Sequence, residues 1–559
     1  MERFYLTIGD FRKNSGIVGM LYLLNEAGAK EGIDYGESED QNSLWIDTNF
    51  ALAQDWTDLY FQTFVKRLGH MSAYERVMDK IDSLLRKLKS DTWKMEKTEK
   101  EELKFINDKL LSNSYQSGFQ TIKDRIDNQE VYERLKKEKL KDKMGQEELM
   151  ERLEELQSFL NQDLCKETFV MKSLFYNYIN RFWDGVSLLS QNKAKKEMRE
   201  MFEKDFVEPF LNYLKADHTK AKNSCIDCGN AINTKEKVSI AFMVGCADDL
   251  SRKKSAFWNG KVDAYLCPVC AFVYAVSPLG FQLYRDKFVF LNTSDTIEQL
   301  KYSNYKEQIN ENEQKEDEKY SSWIVRMLDA VITEKKKQLS NLPVVIRGFD
   351  SSEGYQFQII QNDVLEILEN EGVKKSLEKL QKYPIIKMKN EFWNVYEKVV
   401  WNILNYQTQY YLLNQLLKES LDNNGLIYNA LLVKEVQRHT NMQLKNMRNE
   451  EGVKQMVYDS YFMTKNGYDL RKELISNKNA KDDECLRGTI YQLLNALSVK
   501  NKERFFDIIL RLYCSTKKEV PNGFSKMIHD QEKFIDYGYA FVIGLKGGFF
   551  EKDSEKENK

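Results

Sequence analysis

The chain has 559 residues and a net charge of −2, from 84 basic and 86 acidic side chains. A hydrophobic content of 42% is enough for real cores, and the length allows two to four domains. No apolar run reaches the roughly 18–20 residues of a membrane span, which argues against a membrane partner, and the balanced charge leaves any nucleic-acid binding to local patches.

Proline is scarce, with six in all and none before Pro209, and Lys, Glu and Leu are abundant. A helix-dominated α+β protein is therefore expected. The N-terminus opens with a strand-like run, Phe4-Tyr5-Leu6-Thr7-Ile8, and no long apolar leader, so a cytoplasmic location is expected. Asn14 or Ser15 then suits the N-cap of an apolar helix from Ile17 to Leu24, whose exposed N-terminus could hold an anion. Residues 50–205 read as long helices. Leu149, Leu153, Leu156 and Leu160 recur at spacings of four, three and four and share one face.

The densest chemistry lies at about 206–300. Cys225-Ile226-Asp227-Cys228 and Cys267-Pro268-Val269-Cys270 are two Cys-x-x-Cys knuckles. Two intervening residues let each pair of sulfurs converge, and two such pairs make the four-thiolate shell of a structural zinc. Such a shell leaves no open position to activate water. Eight cysteines in 559 residues are too sparse for a disulfide scaffold, and a reducing compartment favours metal over redox chemistry. Cys165, Cys246, Cys485 and Cys514 read as small buried hydrophobes.

Between the knuckles, Val238–Val244 reads as a strand. Arg252, Lys253, Lys254 and Lys261, with Trp258 among them and no acid from 251 to 261, suit phosphate contacts beside a stacking ring. A solvated loop is the plainer reading of the same segment. Strands are expected at Lys287–Asn292, at Leu342–Phe349 and at Tyr355–Ile360, the last two joined as a hairpin. Residues 301–320 are polar and of low complexity. From about 390 the pattern is helical, with Phe392, Val395, Val399, Ile403 and Tyr406 on one apolar face and Phe505, Ile508, Ile509 and Leu512 on another. The organisation expected is an N-terminal α+β domain over 1–389, carrying the zinc-binding subdomain, and a C-terminal helical bundle over 390–559.

Catalytic motifs are missing. His70, His218, His439 and His529 are scattered, and His529-Asp530 is a lone pair. Gly544-Leu545-Lys546-Gly547-Gly548 lacks the spacing and the Ser/Thr of a phosphate loop. No catalytic residue is assigned, and a non-enzyme is expected.

At these residues the chain resembles the large subunit of type I-B CRISPR Cascade complexes, of the Cst kind. The blocks that carry the likeness run in order: Asn14-Ser15-Gly16-Ile17-Val18-Gly19, the two knuckles, Ser277-Pro278-Leu279-Gly280-Phe281, Phe288–Asn292, Tyr491–Leu497, Pro521-Asn522-Gly523-Phe524 and Tyr537–Leu545. Residues from about 75 to 200 match only in helical character. The resemblance implies a non-catalytic subunit that reads the motif flanking a target in double-stranded DNA. It implies further that the subunit promotes R-loop formation and presents the opened target to a helicase-nuclease in antiviral defence. Its partners would be CRISPR RNA-bearing Cascade subunits. The guide supplies sequence specificity by base pairing, which leaves the protein a short readout and a backbone grip. Two other classes stay open: a stand-alone zinc-stapled nucleic-acid factor, and an enzyme in which zinc only braces the fold.

Overall fold

The computed structural model describes residues 2–90, 93–189, 197–245, 264–284, 287–305, 324–325, 342–348, 354–388, 391–447, 453–477 and 484–549. The protein is α+β and mostly helical. It divides into two units, the first made of 1–313 and 343–358, the second of 314–342 and 359–559.

In the first unit, β1 (Arg3–Thr7), β2 (Tyr35–Glu37) and β3 (Ser43–Asp47) form an antiparallel sheet in the order β1-β3-β2. Helix α1 (Phe11–Glu26) follows β1. It begins earlier than the sequence suggests, because the Asp10 carboxylate caps it by accepting from the amides of Arg12 and Lys13. Asn14 and Ser15 are thus buried inside the helix rather than at an exposed end. Asn14 bridges to Gly9 and to the Asn292 side chain.

A helical array comes next: α2 (Thr48–Ala53), α3 (Trp56–Leu68), α4 (Ala73–Leu88), α5 (Lys97–Leu110), α6 (Asn113–Ile122), α7 (Gln129–Lys137), α8 (Gln146–Leu160), α9 (Asp163–Asn177), α10 (Met198–Phe202) and α11 (Glu208–Lys215). Leu149, Leu153, Leu156 and Leu160 are all buried along α8, as their spacing requires.

The cysteine segment holds two small hairpin-like pairs, β4 (Asn223–Ser224) with β5 (Ala231–Ile232), and β6 (Val238–Ser239) with β7 (Tyr265–Leu266). The strand expected over 238–244 is only these two residues of β6. Ile240–Phe242 is a 3-10 turn instead, opened by the Ser239 hydroxyl, which accepts from the Ala241 amide. Helix α12 (Pro268–Gly280) leaves the second knuckle. Beyond it lie β8 (Gln282–Tyr284), β9 (Lys287–Leu291), α13 (Ile297–Asn304), β10 (Leu342–Gly348) and β11 (Tyr355–Ile360), with the sheet ordered β11-β10-β9-β8. One buried cluster runs from Leu6 through the helices to Val345.

Helices α1 and α12 cross at very short range. A Cβ on Gly16 would lie 2.3 Å from the Val273 carbonyl oxygen, one on Gly19 2.4 Å from that of Val276, and one on Gly280 2.0 Å from that of Ser15. Only glycine allows this contact.

The second unit opens with α14 (Asn362–Glu369), α15 (Glu371–Lys382) and the hairpin β12 (Ile385–Met388) with β13 (Glu391–Asn394). Then follow α16 (Val395–Leu404), α17 (Tyr410–Glu419), α18 (Leu426–Met447), α19 (Val453–Asn477), α20 (Arg487–Ser498), α21 (Lys502–Thr516), α22 (Ser525–His529) and α23 (Gln531–Leu545). Val395, Val399 and Ile403 are buried along α16, whereas Phe392 lies exposed on β13 and Tyr406, also exposed, has left the helix with φ of 56°. On α21, Phe505, Ile508 and Ile509 are buried, and Tyr513 completes the face ahead of the half-buried Leu512. Residues 359–388 share the unit of the later helices, because α14 and α15 pack on α18.

Candidate metal centre

The first knuckle is a tight turn in the loop from β4 to β5. The Cys225 amide donates to the Asn230 carbonyl at 2.8 Å, and the Gly229 amide donates to the Cys225 carbonyl at 3.0 Å. Gly229 has φ of +74°, a conformation glycine takes without strain. The second knuckle is the start of α12: Cys267 is its N-cap, and the Cys270 amide donates to Cys267 Sγ at 3.4 Å. Pro268 occupies the first turn, where its missing N–H costs nothing. The two knuckles are stitched by the Ile226 amide, which donates to the Tyr265 carbonyl at 2.9 Å.

This scaffold brings together Cys225, Cys228, Cys267 and Cys270. One sulfur from each lies within 4.8 Å of every other. Cys228 and Cys267 Sγ are 3.7 Å apart, close to the edge of about 3.8 Å for a tetrahedron with metal–sulfur bonds of about 2.3 Å. Cys225, Cys267 and Cys270 are buried and Cys228 is half-buried. Hydrogen bonds with the other three sulfurs pull Cys225 below the ordinary thiol range; Cys228 is raised by Cys225 but lowered on balance by Cys267 and Cys270; and hydrogen bonds with Cys225 and Cys228 hold Cys267 and Cys270 above it. The thiols therefore do not ionise independently, and a bound dication would displace their protons together. The donor set fits a metal ion, and four sulfurs fill a tetrahedral shell.

Two residues that the sequence reading passed over complete the surroundings. Lys13 of α1 is buried, forms an ion pair with Asp227, and places Nζ 3.3 Å from Cys270 Sγ. Burial alone would lower the Lys13 pKa, yet Cys270 and Asp227 together raise it. Asp227 was legible as the polar residue inside a knuckle; Lys13 lies far off in sequence and gave no such signal. The DNA-contact residues expected from the sequence, Arg252, Lys253, Lys254, Trp258 and Lys261, lie outside the described residues, as does Cys246.

The remaining motifs resolve into structure. Asp530 caps α23 by accepting from the Glu532 and Lys533 amides, so His529-Asp530 marks a helix start. Gly544-Leu545-Lys546-Gly547-Gly548 is the end of α23, with Lys546 as C-cap and Gly547 at φ of +97°. The second unit carries a groove of about 750 Å³ beside the β12–β13 hairpin, lined by Trp393, Lys418 and Tyr491 together with Glu391, Glu419 and Asp422. Lys398 sits over the Trp393 ring at 4.0 Å and Lys418 over the Tyr491 ring at 5.5 Å. Trp401 and Tyr411 are exposed nearby, lining a smaller pocket that shares Trp393.

A family model described as CRISPR-associated protein (Cas_CXXC_CXXC) matches residues 218–282. The match supports a CRISPR-associated protein. It covers both knuckles, the hairpin pairs between and around them, and α12. No curated protein and no solved structure matches the chain. Among the described residues no helix is long and apolar enough to cross a membrane.

Proposed function

We propose that this CRISPR-associated chain is the non-catalytic large subunit of a type I-B Cascade surveillance complex, with zinc as a structural metal on its four cysteines. The observation that carries the reading is the family match centred on a closed four-sulfur site. A filled tetrahedral shell serves folding and not hydrolysis. The ordered likeness of the N-terminal, post-knuckle and C-terminal blocks to such subunits supplies the finer assignment.

In this reading the subunit recognises the flanking motif in duplex DNA, helps to open it, and offers the displaced strand to a helicase-nuclease. Arg252, Lys253, Lys254 and Lys261 would grip phosphates, and Trp258 would stack or wedge. In the resembled family the C-terminal bundle tracks the opened strand. The aromatic groove of the second unit suits contact through stacking, since its carboxylates oppose a purely phosphate-based grip.

The test is co-expression of the whole locus with a tag on this chain. The expected result is co-purification with a guide-length RNA and a repeated backbone protein, and binding of a guide-matched duplex only when the flanking motif is present. A chain that purifies free of RNA and binds nucleic acid alone would be a stand-alone factor. Nuclease or nucleotide hydrolysis that tracks the chain through successive purification steps would make it an enzyme.

A further inference from the structure

We infer that Lys13 is a positioning residue of the metal centre that donates to one of its sulfurs, joining the N-terminal helix to both cysteine knuckles. The inference rests on the metal reading above. Its basis is a three-way contact: Lys13 pairs with Asp227, inside the first knuckle, and donates toward Cys270 Sγ, in the second, at 3.3 Å. The Lys13 side chain is 2% exposed and that of Asp227 17%. One ammonium thus touches both halves of the site from outside the metal shell.

Charge explains why a buried lysine belongs here. Four thiolates around a dication carry a net charge of −2, and burying that charge without a counter-ion is costly. An ammonium within hydrogen-bond reach of one thiolate offsets charge locally at that sulfur and draws electron density from it, although the Asp227 carboxylate paired with it keeps the total of cluster and ion pair at −2. Asp227 holds the ammonium in place, as outer-shell partners of metal ligands commonly do.

The backbone explains how Lys13 arrives. It lies one turn before Gly16 and two before Gly19 on α1, at spacings of three that keep the residues on neighbouring positions of one face. Gly16 and Gly19 set α1 against α12 with no space for a side chain between them, and Cys267 caps the start of α12. The close helix contact therefore fixes the Lys13 side chain at the metal end of α12. This assigns a role to the glycines of the N-terminal block: they set the distance at which Lys13 reaches the site.

The experiment compares full-length wild type, K13M, K13R and D227N, loaded with zinc or with cobalt(II) as a spectroscopic stand-in. Zinc release to excess chelator is expected to be about 10- to 100-fold faster in K13M, partly restored in K13R, and intermediate in D227N. The cobalt–thiolate charge-transfer band of K13M should move to longer wavelength, because a sulfur without its donor is easier to oxidise; a lysine that only braced the helix would not move this band. Wild type that binds neither metal defeats the metal reading itself. Wild type that binds, with K13M unchanged in release rate and band position, overturns the role of Lys13. If K13M fails to fold, D227N decides: wild-type release and spectrum in D227N overturn the inference.

Discussion

Cys225 and Cys165 are both buried cysteines, yet their surroundings give them opposite chemistry. The Cys225 sulfur lies within 4.8 Å of three others, so Cys225→Ser would remove one of the four ligands of the proposed zinc and leave an incomplete shell. Structural zinc contributes on the order of 10 kcal/mol in small peptides, and part of that should appear here as a lower melting temperature. Less than half an equivalent of zinc by elemental analysis is expected for the variant, against one in wild type; equal contents would refute the ligand assignment. Cys165 stands alone in the helical core, and burial pushes its thiol up to about 12 from an ordinary 9.0. At pH 8 its thiolate fraction is thereby cut roughly 1,000-fold, because each unit of pKa is a factor of ten. The sign follows from linkage: above pH 9 the unfolded thiol ionises while the folded one stays protonated, so stability falls between about 9 and 12. Peptide mapping after thiol alkylation at pH 8 should find Cys514, which is exposed, modified, and Cys165 untouched until denaturant is added. At this scale the ligands were readable because their chemistry is written in a four-residue spacing. Lys13 was not, since nothing local to Arg12-Lys13-Asn14 reports a partner more than 200 positions away.

Between elements, the deciding contacts are helix pairs that glycine brings together. The first unit uses Gly16, Gly19 and Gly280 at α1 and α12. The second uses Gly467 of α19, where a Cβ would lie 2.1 Å from the Phe541 carbonyl oxygen, and Gly544 of α23, where one would lie 1.9 Å from that of Thr464. Gly16→Val should therefore force α1 away from α12 and destabilise by about 3 kcal/mol, the upper end for overpacked cores. Because α12 carries Cys267 and Cys270, the same variant should release metal faster, whereas Gly467→Val should lower stability without touching release. Chemical denaturation and a chelator assay on the two proteins separate these outcomes; equal release from both would break the link between α1 packing and the site. Helix existence was legible from apolar spacing, as along α8. Helix starts were less so: Asp10, Asn14 and Ser15 are all good caps, and tertiary demand for Asn14 at Asn292 decides among them. The run Val238–Val244 fails as a strand for a related reason. It has the composition of one, but Val238 and Ser239 pair with β7 while Met243 makes a lone antiparallel bridge to Trp183, and the 3-10 turn at Ile240–Phe242 lies between them.

At the scale of the whole chain, sequence composition separates a mixed N-terminal part from a helical C-terminal part, and the structure carries both. It could not show that residues 359–388 associate with the later helices, because that depends on which face α18 offers. Leu365 and Leu368 of α14 and Val373, Leu377 and Leu380 of α15 are buried, and their helices pack on α18. The DNA contact proposed for the basic segment is tested at this scale too. On the proposed reading, replacing Arg252, Lys253, Lys254 and Lys261 by Ala in the complex should weaken target binding and reduce the salt slope by up to about four. Unchanged affinity and slope would make the segment a solvated loop. The packing of α14 and α15 leads to a sharper contrast in folding. A fragment of residues 359–559 keeps both helices on α18, whereas one of 388–559 strips them away and bares the apolar face they cover. Deleting buried Leu and Val side chains costs about 2–5 kcal/mol each where the site cannot collapse, so losing five should exceed the stability of an ordinary domain of this size. The longer fragment should give a cooperative thermal transition by circular dichroism and a monomeric mass by light scattering. The shorter one should melt broadly or aggregate. If 388–559 melts as sharply and at the same temperature, α14 and α15 contribute nothing to the core of the second unit, and the division at 359 is not a folding boundary.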